Sequence, residues 1–331
     1  MRAQSSAIVP AGSLLPGRAG LLWGLVGVVA FSFTVPFTRV AVGGLSPLFV
    51  GSARAVAAAV LAALVLAVTR QVLPRGGQWV RLAVVAGGVV VGFPFLTSFA
   101  LESAPASHAA VVVGLLPAVT AVVAALRTGE RPSRSFWVFA ALGALAATGF
   151  VALQGGGLGG LHRADLLLLG AVVAAAVGYA EGGLLARELG SWQTISWALL
   201  VAAPATLVVA AWSIVQQPPQ ASAVQWAAFA YLAAVSMFLG FFAWYRGLAI
   251  GPMAQVSQVQ LVQPVLTIGW AALLLREPVT WATVLGGLVV VGAAAQAVRT
   301  RLGRGRAPQR AARAGASEAS PATRATPAAN Q

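Results

Sequence analysis

The segment from Pro105 to Glu130 recurs in weakened form 147 positions later in the chain. Along a single ungapped offset, Pro117 matches Pro264 and Glu130 matches Glu277. Both copies lie in strongly apolar sequence, since the chain is 59% hydrophobic and only 8% charged, with a mean hydropathy of +0.86. A soluble domain of this length would lack the charge needed to keep its surface in water. The sequence therefore predicts a membrane protein built from a duplicated unit.

Ten apolar segments are long enough to cross a bilayer core, which takes about 20 residues per helix. They cover residues 20–42, 46–68, 78–101, 107–126, 135–153, 164–186, 192–214, 224–246, 253–275 and 280–298. Each copy of the unit then holds five segments, in 20–153 and 164–298. Because five is odd, the second copy is inverted in the membrane relative to the first. The predicted fold is an all-α polytopic membrane protein with ten transmembrane helices, arranged as two inverted five-helix repeats.

Arginine placement predicts which helix ends face the cytoplasm, because positively charged loops stay on that side. With the N-terminus inside, most arginines and the whole arginine-rich C-terminal tail are cytoplasmic, whereas Arg163 and Arg276 are outside. Residues 1–19 and 299–331 are predicted to be cytoplasmic tails, the second basic and disordered. The expected location is the inner membrane of a bacterial-type cell. The net charge of +14 is thereby assigned to the membrane surface, with lipid and not nucleic acid as the partner.

Short motifs occur in order along nearly all of the ten segments. They are Leu22-Trp23-Gly24, Ser46-Pro47 with Arg54, Ala104 through Pro117, Gly129-Glu130, Gly251-Pro252, Gln263-Pro264, Glu277-Pro278, and Gly286-Gly287 with Gly292. In this combination the sequence resembles the EamA-type branch of the drug/metabolite transporter superfamily, with Arg276 standing where a glycine is usual. The resemblance implies alternating-access transport of a small metabolite or drug, with no enzymatic activity and no cofactor. It does not identify the substrate, because this scaffold carries many classes of compound.

The resemblance favours export, driven by protons or by the substrate's own gradient, since the sequence shows no phosphate-binding glycine loop. Uptake of an amino acid or a nucleoside is the alternative within transport. An intramembrane enzyme or a lipid-handling membrane protein is the alternative from another class, and it would need acids or histidines converging at one membrane level. Glycines in the fifth and tenth segments suit helix packing within one chain or between two, so a homodimer stays an open alternative.

Glu181 is a carboxylate deep in a predicted span, where a charge costs at least about 2.5–3.5 kcal/mol on insertion scales. It follows Tyr179 in a glycine-rich run that leaves room for a ligand or for a close helix. Such a carboxylate can titrate near neutral pH and couple transport to protons, or hold a substrate cation. The structural alternative is an interfacial glutamate that reaches water or pairs with a cytoplasmic arginine.

Two arginines and a polar helix face complete the candidates for substrate binding, together with Tyr179 as an aromatic contact. Arg39 and Arg54 lie in the outer parts of the first two helices. Each can meet a substrate carboxylate, snorkel to the interface or bond free backbone carbonyls. Gln260, Gln263 and Thr267 share one face of the ninth helix. Because amides are costly in lipid, this face either lines a cavity or hydrogen bonds to another helix.

The repeated prolines and glutamates are predicted to have mechanical and structural roles. Pro117 and Pro264 interrupt the fourth and ninth helices and act either as hinges or as static kinks. Glu130 and Glu277 lie at helix-to-loop junctions, where a carboxylate can accept hydrogen bonds from the N-terminus of the next helix. The chain has two histidines and no cysteine, without ligand spacing, so the sequence predicts no metal site.

Overall fold

The computed structural model describes residues 16–128, 133–154, 162–250, 256, 259–296 and 299, and these contain helices and no β-strand. Ten helical segments follow one another in the described part. They are α1 (Ala19–Ala41), α2 (Pro47–Thr69), α3 (Gln78–Ala100), α4 (Ala106–Arg127), α5 (Arg134–Gln154), α6 (Arg163–Leu189), α7 (Ser191–Gln216), α8 (Ala223–Ile250), α9 (Gln260–Leu275) and α10 (Trp281–Gln296).

Seven of these segments, α1–α4 and α6–α8, are long and apolar enough to cross a membrane. The other three are shorter apolar helices, with α5 counted over Arg134–Ala146. They coincide with the remaining predicted spans. The all-helical membrane character predicted from the sequence is therefore confirmed, whereas seven spans rather than ten meet the length criterion among the described residues. The predicted tails lie almost wholly outside the described residues.

The helix contacts repeat when each helix is replaced by its equivalent in the other half. The equivalent helices are α1 and α6, α2 and α7, α3 and α8, α4 and α9, and α5 and α10. α1 packs on α8 as α6 packs on α3, and α1 contacts α9 as α6 contacts α4. α2 contacts α3 and α8, just as α7 contacts α8 and α3. The pairs α2–α7 and α4–α9 each map onto themselves. The contacts of one half thus recur in the other, so the sequence repeat is also a repeat of packing.

Two equivalent helices carry a π-helical segment at matching places. These segments are Ala86–Gly92 in α3 and Leu232–Leu239 in α8, and they share the 147-residue offset of the sequence repeat to within one residue. A π-helical turn widens the helix locally, and such turns are frequent at functional sites. Val89 and Ser236 project from these segments into one central cavity. The irregular turns of both halves therefore meet at the same place.

Two further helices, α4 and α9, are interrupted at matching points. α4 leaves α-helical geometry at Gly114 and Leu115, and α9 starts with the 3₁₀ turn Gln260–Val262. Pro117 and Pro264 follow in the first turn of the α-helix that comes next. A proline costs little there, because a first-turn N–H has no partner within the helix. Both prolines thus lie at a break in the helix, and hinge motion at the break stays a prediction.

Glycines bring two of the equivalent helix pairs into backbone contact. A Cβ atom added to Gly88 of α3 would lie 2.8 Å from the backbone nitrogen of Gly178 in α6. In the α1–α8 pair, a Cβ added to Gly27 would lie 2.9 Å from the backbone nitrogen of Trp244. No side chain fits in either gap. The position of α6 beside α3, and hence of the site residues on α6, depends on these glycines.

Gly88→Ala is expected to destabilise the protein by about 2 kcal/mol, because overpacking forces the backbones of α3 and α6 apart. Gly87→Ala is the matched control, since the neighbouring glycine faces open space with no atom within 4 Å of its added Cβ. The midpoints of thermal unfolding of the two purified variants provide the comparison. Equal midpoints would contradict the packing described for Gly88.

Candidate functional site

A small cavity lies in the interior where α1, α2, α3, α6, α8 and α9 meet. Its space for water-sized molecules is about 20 Å³, which is room for a single water. Both halves of the chain contribute to the wall, so the cavity lies at their interface. The lining residues are Phe31, Thr34, Arg54, Val89, Phe93, Pro94, Ala175, Tyr179, Ser236, Met237, Phe241 and Gln263.

Arg54 provides the charge in this wall. Helix α2 begins at Pro47, after Ser46 has capped it by accepting a hydrogen bond from the Phe49 N–H at 3.1 Å. This start places Arg54 two turns into the helix, where its residue is 1% exposed. Its Nε and Nη2 atoms find no hydrogen-bond partner among the described residues. Arginine is seldom fully buried without a partner, so a binding role explains this geometry better than a snorkelling one.

The polar face of α9 is divided between the cavity and helix contacts. Gln263 lines the cavity, and its side-chain oxygen lacks a partner within the described part of the chain. Gln260 is buried, and both polar atoms of its amide are likewise without described partners. Thr267 instead donates to the backbone oxygen of Ser32 in α1 at 2.9 Å. Gln263 therefore lines the cavity, as the first alternative predicted, whereas Thr267 hydrogen bonds to another helix, as the second predicted.

Aromatic rings close the space beside the cavity. The ring of Tyr179 on α6 lies 6.3 Å from that of Phe31 on α1 and 6.0 Å from that of Phe241 on α8. Trp244 lies 5.8 Å from the same ring, and the Tyr245 hydroxyl donates to the Gly178 carbonyl at 3.4 Å. Helices of both halves meet in this layer. Tyr179 therefore lies in the cavity wall and also at a contact between the halves.

Glu181 lies outside the cavity wall, in a cluster of charges. Its carboxylate accepts a hydrogen bond from Arg127 Nε at 2.7 Å and another from Arg81 Nε. Arg81 also donates to Glu188. The cluster joins α3, α4 and α6, and the Glu181 side chain in it is only 6% exposed. The two arginines and two glutamates of the cluster balance in charge. We call the end of the bundle that carries this cluster the arginine-rich end.

The opposite end of the bundle holds a wider vestibule of about 530 Å³. Arg39 lines it, but its Nη1 donates to the backbone oxygens of Leu101 and Glu102 at 2.6 and 2.7 Å. These carbonyls belong to the C-terminal end of α3. Arg39 therefore caps a helix and lies apart from Arg54, so the structure does not bring the two arginine candidates together.

Glu277 also lines the vestibule and caps a helix in the other half of the chain. Its two carboxylate oxygens accept the N–H groups of Ala106 and Ser107 at 2.8 Å each, at the start of α4. From the sequence we expected the next helix, α10, to receive this carboxylate. Glu277 does cap the N-terminus of a helix, but that helix is α4 rather than α10. Glu130 lies outside the described residues.

A second acid–base pair spans the vestibule side of α4 and α6. His108 Nε2 lies 2.7 Å from Asp165 Oδ1, and the other oxygen of Asp165 accepts the backbone N–H of His162 at 2.9 Å. In the described residues, no group of three or more His, Cys, Asp or Glu side chains converges in the way that a metal ion needs.

Comparison with known proteins gives a family, a close relative and a structural neighbour. Residues 18–152 and 162–298 each match the EamA-like transporter family. Over 286 residues the chain is 43% identical to the uncharacterized transporter YdeK of Bacillus subtilis (strain 168), covering 85% of this chain and 97% of that protein. One crystal structure superposes with a TM-score of 0.60 at 18% identity, over 86% of this chain and 98% of the other. At that identity the superposition supports the fold alone.

Proposed function

This chain belongs to the EamA-like transporter family, as its sequence motifs indicated, and we propose that it is a secondary transporter that moves a small metabolite or drug by alternating access. The observation that carries the proposal is the cavity between the two repeats, whose wall both repeats form. In transporters built from inverted repeats, the substrate binds at the repeat interface near the middle of the membrane. Here α1, α2 and α3 of one repeat and α6, α8 and α9 of the other surround that place.

In the proposed topology, α1–α5 and α6–α10 each cross the membrane five times, and the second set is inverted. The packing exchange between the halves supports this arrangement, because a two-fold axis in the membrane plane would generate it. The arginine-rich end then faces the cytoplasm, in agreement with the excess of positive charge on that side of bacterial inner-membrane proteins. Both termini are cytoplasmic in this orientation.

Two bodies of three helices each are proposed to rock against one another. One body is α3, α4 and α6, which the Glu181 cluster and the pair of His108 with Asp165 hold together. The repeat operation relates it to α8, α9 and α1, which polar contacts also join. These contacts include Thr267 and Trp270 to Ser32, Tyr231 to Ala30, and Thr34 with Ser236.

The contacts between the bodies differ at the two ends. On the arginine-rich side, Tyr179 meets aromatic residues of the other body. At the opposite end, Arg39 and Glu277 bridge the bodies through helix caps. Alternating access would release these two sets of contacts in turn. We accordingly propose that Glu181 holds α3, α4 and α6 together. Tyr179, in contrast, lies at the interface where the two bodies move against each other.

We propose export as the direction, with energy from the proton gradient or from the gradient of the substrate. The family resemblance supports export, and the sequence contains no phosphate-binding glycine loop. We propose that Glu181 does not carry the coupling proton, because its carboxylate already forms ion pairs with two arginines.

Ser236→Cys is expected to react with a membrane-impermeant methanethiosulfonate reagent from both sides of the membrane, in right-side-out and in inside-out vesicles. Ser236 lines the cavity, and alternating access exposes the cavity to each side in turn. The natural chain has no cysteine, so no other thiol reacts.

The matched control for this labelling is Ser196→Cys, which makes the same chemical change at a buried residue of α7 outside the cavity. We expect it to stay unlabelled from either side. Labelling of Ser236→Cys from one side only would contradict alternating access.

A further inference from the structure

The central cavity presents a positive charge for which the described protein supplies no counter-charge. Arg54 is fully buried in its wall, with two guanidinium nitrogens lacking partners in the described residues. Removing a charge from water is strongly unfavourable unless another charge or hydrogen bonds compensate it. A guanidinium keeps its charge in proteins and cannot escape this cost by losing a proton. The geometry therefore indicates a binding site in which a ligand compensates the charge of Arg54.

The acidic side chains of the described part are all engaged elsewhere or face solvent. Four of them accept the hydrogen bonds of the charge cluster, the His108 pair and the α4 cap, and the fifth is exposed. In chain order these five are Glu102, Asp165, Glu181, Glu188 and Glu277. None belongs to the cavity wall. No acid in the described part of the chain therefore supplies a counter-charge for Arg54, which leaves that position open to an anionic ligand.

The remaining polar atoms of the wall define a second feature of the ligand. The side-chain oxygen of Gln263 has no donor among the described residues, so it is free to accept one. The Thr34 and Ser236 hydroxyls already bond each other at 2.7 Å. Apart from Tyr179, which carries a hydroxyl, the rest of the wall is apolar, with Phe31 and Phe241 among its rings.

We propose that the substrate is a small organic anion whose carboxylate binds Arg54, whose hydroxyl or N–H group donates to Gln263, and whose body is apolar. This assignment rests on the proposed transport function and adds the substrate class. The planar guanidinium fork matches a carboxylate with two parallel hydrogen bonds, a geometry that an ammonium group cannot reproduce. Because the cavity has space for only about 20 Å³, the surrounding helices must separate to admit the ligand.

Mandelate is a suitable probe, because it combines a carboxylate, a hydroxyl donor and a phenyl ring. Mandelamide is its matched control, with the charge replaced by an amide of nearly the same shape. The measurement is the midpoint of thermal unfolding of the purified full-length protein, at equal ionic strength. A ligand that binds only the folded protein raises this midpoint as its concentration rises.

We expect mandelate to raise the midpoint of the wild type and mandelamide to leave it unchanged. Arg54→Met should abolish the response, and Arg54→Lys should need at least about ten times more mandelate, because the paired geometry is lost. Equal shifts from acid and amide, no shift from either, or an undiminished response of Arg54→Met would overturn the proposal. If labelling of Ser236→Cys from both sides nevertheless occurs, the transport function stands and only the anion assignment fails.

Discussion

Arg54→Met is expected to abolish transport and at the same time to raise the thermal stability of the empty protein. Methionine fills similar space without charge, and replacing a buried ionic group by an apolar one is often stabilising, by about 1–4 kcal/mol. Transport should fall at least about 30-fold, since losing one partner of a buried charge pair costs about 2–5 kcal/mol of binding. An arginine that served only packing would give the reverse change in stability.

The measurement combines thermal unfolding with metabolite profiling of cells and medium during overexpression. A compound that accumulates in the medium with the wild type, but not with Arg54→Met, identifies the substrate and shows export. Depletion from the medium would show uptake instead, and a change confined to lipids would indicate lipid handling. Arg75→Met is the control, because this arginine is exposed and does not line the cavity. Unchanged transport by Arg54→Met would remove Arg54 from the site.

Glu181→Gln is expected to lower the free energy of unfolding by about 3 kcal/mol, the lower end of the range for breaking a buried ion pair. The neutral amide leaves Arg81 and Arg127 facing each other without the carboxylate that separates them. Because Arg127 is half exposed, water solvates its guanidinium and reduces the loss of stability. Below its unfolding temperature the variant should still transport, since Glu181 lies outside the cavity.

Glu188→Gln provides the matched control within the same cluster. Its side chain is 45% exposed and has Arg81 as its ion-pair partner. Removing such an exposed pair should cost less than about 1 kcal/mol. Thermal unfolding of both variants decides the stability difference. Loss of transport by a folded Glu181→Gln protein would return this carboxylate to a role in coupling or substrate binding.

The sequence predicted the helices well where a long apolar run decides the structure. The third span was expected at 78–101, and the helix covers Gln78–Ala100. The apolar run reflects burial in lipid, a local property of the chain. The π-helical segments were not predicted, because their geometry depends on how neighbouring helices pack. The repeated prolines did indicate the breaks in α4 and α9, since proline has the same local effect in both copies.

Partners distant in the chain were harder to predict than helices. The sequence identified Glu181 as a buried acid and placed arginines near the same membrane face, but it did not pair the carboxylate with Arg81 and Arg127. These residues lie on α3 and α4, and helical spacing indicates which face a residue occupies without indicating what faces it. Likewise, Arg39 and Arg54 looked equivalent in the sequence. Only the packing of α2 against its neighbours shows that Arg54 reaches the cavity.

The matching irregular turns of α3 and α8 bear on the origin of the protein. A feature that occurs twice at one offset is most simply explained as present in the five-helix ancestor before its gene was duplicated. With the proposed inverted topology, two ancestral chains could pack as these halves do only by inserting in opposite orientations. Joining the two copies in one chain would then allow each half to diverge. α2 now carries Arg54 while α7 has no charged residue, and α6 carries Glu181 while α1 has no acid. An antiparallel homodimer of identical subunits could not have confined Arg54 to one side of its binding site or Glu181 to one of its two halves.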